Sequence, residues 1–255
     1  MSLAILVGGM VLVTLAVFDQ VMTVVAVGGG GGPFTSRITS GLWRLSLGIH
    51  HRVHKHGLLQ AMGIAVTLSI LALWFVALWL GWTLIFAAGD MAVVDSLTGE
   101  PADGWTRLYY AGYTLFTMGN GDYRPDGAGW QVATVLANAT GLALVTLAIS
   151  YLVPVIQAAV HRRSVAATIA AVGGTPEGII NRAWNGSDLS AIEQHAVSLT
   201  SDIGLINQRH LAYPVLHYFH DNDPRSAFAP RLAALDDALS IASEMVAPDQ
   251  SRESS

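Results

Sequence analysis

The chain alternates long apolar runs with short polar stretches. Residues 3–27 form one apolar run, Leu58–Ala88 a second and Gly127–Val160 a third. At about 1.5 Å of rise per residue, each crosses a bilayer core of about 30 Å as a helix. The second run exceeds that thickness, which predicts a tilted helix or one that extends past the membrane. A fourth apolar segment, Trp105–Phe116, is too short to span and runs directly into a glycine-rich stretch. It predicts a helix that enters from one side and stops midway. Non-helical backbone following it at that depth is tolerated only where protein shields it or water bathes it.

The polar stretches between these runs set the topology. Five glycines, Gly28–Gly32, closed by Pro33, predict a break. Next, Ser36–Gly57 places Leu42, Trp43, Leu45, Leu47 and Ile49 among Arg37, Arg44, Arg52 and Lys55, the pattern of an interfacial helix on anionic headgroups. The loop Gly89–Gly104 carries Asp90, Asp95, Glu100 and Asp103 without a Lys or Arg, whereas His161-Arg162-Arg163 follows the third run. Basic flanks belong in the cytoplasm, so the acidic loop and the N-terminus are expected outside and the C-terminus inside. Residues 3–27 lack the basic lead and small-residue cleavage site of a signal peptide and are expected to stay as a helix. After Arg163, Pro176 predicts one helix start, Ser187-Asp188 a cap for a helix toward Arg209, and Pro230 a start for a helix through Val246 with Leu232, Leu235, Leu239 and Ile241 on one face. The residues beyond Pro248 are polar and expected to be disordered.

The chemistry concentrates in YTLFTMGNGDY, Tyr113–Tyr123. Glycine accepts backbone angles closed to other residues, and Asn tolerates the left-handed region next best. Four such strands around an axis could turn their carbonyl oxygens inward to replace the hydration shell of a cation. The stretch resembles the tetrameric potassium-channel superfamily, whose filter reads Thr-Val-Gly-Tyr-Gly-Asp where this chain has Thr117, Met118, Gly119, Asn120, Gly121 and Asp122. The likeness of the pore loop covers roughly Trp105–Asp126, and with the flanking helices Leu58–Arg163. It implies a homotetramer in which Thr117, Met118, Gly119, Asn120 and Gly121 bind potassium, Thr114 and Asp122 support the filter, and the third run lines the pore. It also implies gating at Gly141, a hinge position, and at Pro154, where a bend is expected. Gly141 is equally readable as a packing residue. The departure is Asn120. An aromatic residue there packs on the pore helix in the family and fixes the filter diameter, whereas Asn offers amide hydrogen bonds. A potassium-selective channel and a nonselective monovalent cation channel therefore both stand.

Composition fits this class. Hydrophobic residues make up 52% and charged residues 12% of 255, with a mean hydropathy of +0.47, as in an integral membrane protein. The absence of cysteine excludes disulfides, thiolate metal sites and cysteine nucleophiles. Residues 164–255 hold five Lys/Arg against eleven Asp/Glu, a balance unsuited to nucleic acid. Expected partners are other copies of the chain, the lipid bilayer and a regulatory ligand or ion on the tail, with no cofactor besides potassium ions. Asp19 and Gln20 interrupt the first run; a carboxyl there is either near the headgroups or in a polar interior. His50, His51, His54 and His56 fit a metal or pH site or a solvated surface. His210, His217 and His220, beside Tyr213, Tyr218 and Phe219, fit a ligand site or an aromatic subunit contact. No nucleotide-binding turn, spaced arginine run or H-E-x-x-H pattern occurs. A non-conducting receptor or scaffold remains as another class, and an enzyme is not expected. The sequence thus predicts an all-α membrane protein with three transmembrane helices, a re-entrant pore helix and filter, and a C-terminal cytoplasmic helical domain. Its expected parts are residues 1–57, 58–163 and 164–255.

Overall fold

The computed structural model describes residues 2–25, 31–53, 56–187, 189–219, 223 and 225–246, without the side chains at 46–61, 193 and 246. The fold is nearly all helical, with one small antiparallel sheet among the described residues. Among the described residues, three helices are long and apolar enough to cross a membrane: α1, Leu3–Val25; the Met62–Ala87 part of α3, His56–Ala87; and α5, Ala128–Val172. Between α1 and α3 lies α2, Pro33–Val53. It starts three residues before the expected Ser36, because proline lacks the N–H that a first helical residue leaves unused.

α5 does not end near Val160. Ser164–Val172 is rich in alanine and lacks glycine and proline, so His161-Arg162-Arg163 changes polarity without ending the helix. The stop comes at Gly173-Gly174, where Gly174 takes φ +73° as a left-handed terminator. At 45 residues, α5 is about 68 Å long, more than twice a bilayer core. It continues through Pro154.

The chain divides into two compact units. One holds the residues up to Leu45 and Ile64–Pro154. In it Val66, Ile70, Trp74 and Leu78 form a fully buried stripe at four-residue spacing along α3. α1 crosses α3 at paired glycines: a Cβ on Gly9 would lie 2.8 Å from the Gly81 carbonyl oxygen. Tryptophan N–H groups bind α3 to its neighbours. Trp79 donates to the Leu108 carbonyl at 2.7 Å and Trp82 to the Thr140 hydroxyl at 2.9 Å. Where the sequence predicted only a loop between α3 and the short helix, β1, Val93–Asp95, pairs with β2, Tyr123–Pro125, in register Val94 opposite Arg124. This ladder clamps both ends of the segment that carries α4, Gly104–Leu115, and the glycine stretch.

The second unit comprises Ser46–Gly63 and the chain from Val155 onward. α6, Pro176–Ala183, α7, Ser190–Ala212, and α8, Phe228–Val246, join the end of α5 around Val165, Ile169, Ile179, Ile192, Leu199 and Leu235. Pro176 opens α6 as expected, behind Thr175, whose hydroxyl accepts from the Gly178 N–H. The cap expected at Ser187-Asp188 is not where α7 begins. Leu189 occupies that position without a side-chain bond, and Ser187 instead bonds Asn185. α8 starts at Phe228, two residues before Pro230. Gly28–Gly30, His54, Asp188, His220 and the tail beyond Val246 lie outside the described residues, as do the side chains of His50, His51 and His56.

Candidate ion-conduction site

The site is built from the loop inward. Asp103 caps α4, accepting from the Thr106 N–H at 2.7 Å, and Asp95 closes a turn by accepting from Leu97 and Thr98 at 2.8 and 2.9 Å. The bonds from Thr106 hold the Asp103 carboxyl below the usual carboxylate range, and those from Thr98 and Leu97 do the same for Asp95. Two of the four loop acids therefore work as caps. In the first turn of α4, Arg107 donates to the Asp90 carbonyl at 2.7 Å and to Ala87 at 3.3 Å, satisfying the exposed carbonyl end of α3.

At its far end α4 hands over to the glycine stretch. The N–H groups of Phe116, Thr117 and Met118 turn back to Gly112, Thr114 and Tyr113 at 3.2, 3.1 and 2.9 Å. From there the backbone alternates in hand: Thr117, Gly119 and Gly121 take φ +57°, +60° and +79°, while Met118 and Asn120 between them do not. Alternating right- and left-handed residues put successive N–H groups on one side of the chain and the carbonyls on the other. Thr117 is the one non-glycine with positive φ among the described residues. Its branched side chain makes that conformation costly, the kind of strain that gathers at functional sites. Residues 116–122 are exposed. Among the described residues, the carbonyls of Thr117–Gly121 accept no backbone hydrogen bond.

The other side of the strand is tied down. The Asn120 amide donates to the Tyr109 hydroxyl on α4. Tyr109 meets Tyr113 edge to face at 5.0 Å, and the Tyr113 hydroxyl donates to the Tyr123 carbonyl at 2.9 Å. A cavity of about 250 Å³ lies here, lined by Thr114, Thr117 and Gly119 and closed by Thr134 and Asn138 of α5. Thr114 is buried on α4. Asp122 is exposed; its carboxylate accepts from the Tyr123 N–H at 3.2 Å and its carbonyl from Ser96 at 2.9 Å. Gly141 is where α5 meets the end of α4: a Cβ there would fall 2.0 Å from the Leu115 carbonyl oxygen. Pro154 lies within α5, thirteen residues farther along the chain.

Residues 64–158 match a family model described as "Ion channel". The "Uncharacterized membrane protein YdjJ" of Bacillus subtilis (strain 168) is 31% identical over 239 residues, covering 92% of this chain and 69% of that protein. The chain belongs to the potassium-channel superfamily of pore-loop ion channels. No solved structure matches it. The channel's matched span starts within α3 and ends within α5, enclosing α4 and the alternating strand.

Sequence reasoning left a second polar site of this channel unresolved. Asp19, 1% exposed, lies buried among the helices. One carboxylate oxygen accepts from the Phe34 and Thr35 N–H groups at 2.7 and 3.2 Å, and the other from the Thr35 hydroxyl at 2.6 Å and the Trp74 indole at 3.0 Å. It thereby caps the N-terminus of α2 from another helix, where a negative charge is favoured. Gly32 is required beside it, since a Cβ would fall within 2.3 Å of the carboxylate. Gln20 donates to the Leu144 carbonyl on α5 at 3.1 Å.

Proposed function

We propose that this ion channel is a homotetramer that conducts potassium passively, with the filter formed by Thr117, Met118, Gly119, Asn120 and Gly121 of each subunit. The observation that carries this reading is the alternation of positive φ at Thr117, Gly119 and Gly121 along a strand whose carbonyls accept no backbone bond among the described residues. Such oxygens at membrane depth need a partner. Dehydrated cations supply it, and several ions in file push one another through. One strand gives only one side of a cage, so the reading requires four copies. The Asn120 bond to Tyr109 supports selectivity, because it ties the strand to the pore helix where the family uses an aromatic ring.

In this reading the acidic loop and N-terminus face outward, the unit from Val155 lies in the cytoplasm, and Gly141 and Pro154 serve gating. The functional parts are residues 1–57, 58–163 and 164–255. The test is a reversal potential in mixed potassium and sodium, with purified protein in planar bilayers. A strong potassium preference is expected. Equal permeability makes the protein a nonselective cation channel, and absence of flux makes it a receptor or scaffold.

A further inference from the structure

In the unit that holds the membrane spans, a cavity of about 660 Å³ opens between α1, α3 and α5. The Ser2 N–H donates to the Ala88 carbonyl at 3.0 Å, so α1 begins level with the end of α3. Trp130, in the first turn of α5, packs so closely on Gly89 that no Cβ would fit there, so α5 begins at the same level. The cavity starts at this end with Leu6, Ile85 and Trp130 and runs inward to Thr14, Trp82 and Thr140. The rise along α5 from Gly129 to Thr140 is about 16 Å, roughly half of a bilayer core of about 30 Å. The cavity is therefore about as deep as one leaflet.

Its polarity changes with depth. At the inner end the Trp82 indole donates to the Thr140 hydroxyl at 2.9 Å, and that hydroxyl donates to the Ala137 carbonyl at 2.9 Å, so this pair asks nothing of an occupant. Met10, Val13, Ala133 and Leu136 make the wall between the ends apolar. At the end level with Ala88, Trp130 is half-buried, its ring 6.5 Å from that of Phe86. Its indole N–H has no acceptor among the described residues.

We propose that this cavity holds one acyl chain of a bilayer phospholipid, with the ester carbonyl of that chain accepting from the Trp130 indole N–H. All three walls are membrane-spanning helices, so the medium at the cavity mouth is lipid. The donor sits at the end of the spans, at the interfacial level where tryptophan gathers and ester groups lie. The apolar depth below it fits one chain. A plain hydrocarbon would leave the indole N–H unpaired, and an unmet donor beside apolar walls is costly. The chain also supplies dispersion contacts that an empty space of this size denies its lining. α1 lies outside the span shared with the ion-channel family model, so the site needs the first helix as well as the pore module.

The test strips the full chain of lipid in nonionic detergent and titrates it with dioleoylphosphatidylcholine, counting bound lipid by native mass spectrometry. Saturable retention of one lipid per subunit is expected. A phosphocholine lipid with the same chains in ether linkage, which lacks the ester carbonyls, should bind about fivefold more weakly, the worth of one neutral hydrogen bond. Trp130→Phe keeps a ring on Gly89 and removes the N–H, so it should bind the two lipids equally. Gly129 lines the cavity and an added Cβ meets nothing within 4 Å, so Gly129→Phe fills the space and should abolish retention while the melting temperature shows the variant folded. Equal affinity of the native chain for both lipids, or retention that survives Gly129→Phe, would overturn the proposal. No retained lipid at all would also overturn it and give the cavity mouth to a second copy of the chain. The readout is retained lipid, not flux, so its failure is distinct from failure of the channel reading.

Discussion

Two polar sites in the same membrane-spanning unit follow opposite rules. Around Asp19 every described polar partner is met inside one subunit: two backbone N–H groups, a hydroxyl and an indole converge on one carboxylate. Along Thr117–Gly121 the carbonyls stand exposed, with no backbone donor among the described residues, and the strand holds an unfavourable backbone conformation. Unmet polar groups in a membrane interior are costly. The first site resolves that cost locally and is structural. In the proposed tetramer the second leaves it to other subunits and to ions, and that deferral is what separates the proposed filter from the structural site. Variants at each should therefore separate stability from conduction.

The largest expected effect on conduction is at Gly119. Its φ of +60° is the reason for glycine, since a Cβ there meets nothing within 4 Å. Gly119→Ala imposes a left-handed penalty of about 1–2 kcal/mol per copy, repeated in each subunit. Potassium flux into liposomes should disappear while the melting temperature of the purified protein falls by only a few degrees and the assembled state persists. Unaltered flux would move the filter elsewhere in the chain. Gly141→Ala offers the contrast: its Cβ would strike the Leu115 carbonyl, so it should lose stability and flux together.

Asp19→Ala should show the reverse pattern. Removing the carboxylate leaves buried donors from Phe34, Thr35 and Trp74 without their acceptor, and breaking such an arrangement costs about 3–5 kcal/mol. A clear drop in melting temperature is expected, with the potassium-to-sodium permeability ratio of the surviving channels unchanged. Asp19→Asn, which keeps an acceptor but loses the charge, should fall between. A changed ratio at normal stability would erase the distinction between the two sites.

The same contrast explains what the sequence could disclose. Three spanning runs, the short helix and the glycine stretch were legible because each depends on local pattern: apolar length, or glycine where left-handed backbone is needed. The charge at Arg162 and Arg163 suggests a boundary that the end of α5 does not respect, since helicity stops only at Gly173-Gly174. The β1–β2 ladder was missed because three-residue strands carry no usable periodicity, and Val93 and Tyr123 are thirty positions apart. Asp19 was visible as an anomaly, but its partners at 34, 35 and 74 are set by packing alone. Arg107 and Tyr109 looked like ordinary residues of a short helix, and only their placement beside Ala87 and Asn120 gives them roles.

The finest distinction lies behind the strand. If Asn120 substitutes for the aromatic residue by tethering rather than by packing, the bond to Tyr109 is the part that matters. Tyr109→Phe removes that hydroxyl while keeping the ring that meets Tyr113. One neutral hydrogen bond is worth about 1 kcal/mol, too little to move the melting temperature clearly but enough to loosen a strand repeated around an axis. A modest shift of the reversal potential toward sodium is expected. Asn120→Ala should produce a similar shift, and the double variant should add almost nothing, because both changes remove one interaction. Additive shifts would mean that Asn120 acts on the ions by its own polarity or size, and the strand would then be held by its clamped ends, Thr117 to Thr114 and Tyr123 in the β1–β2 ladder.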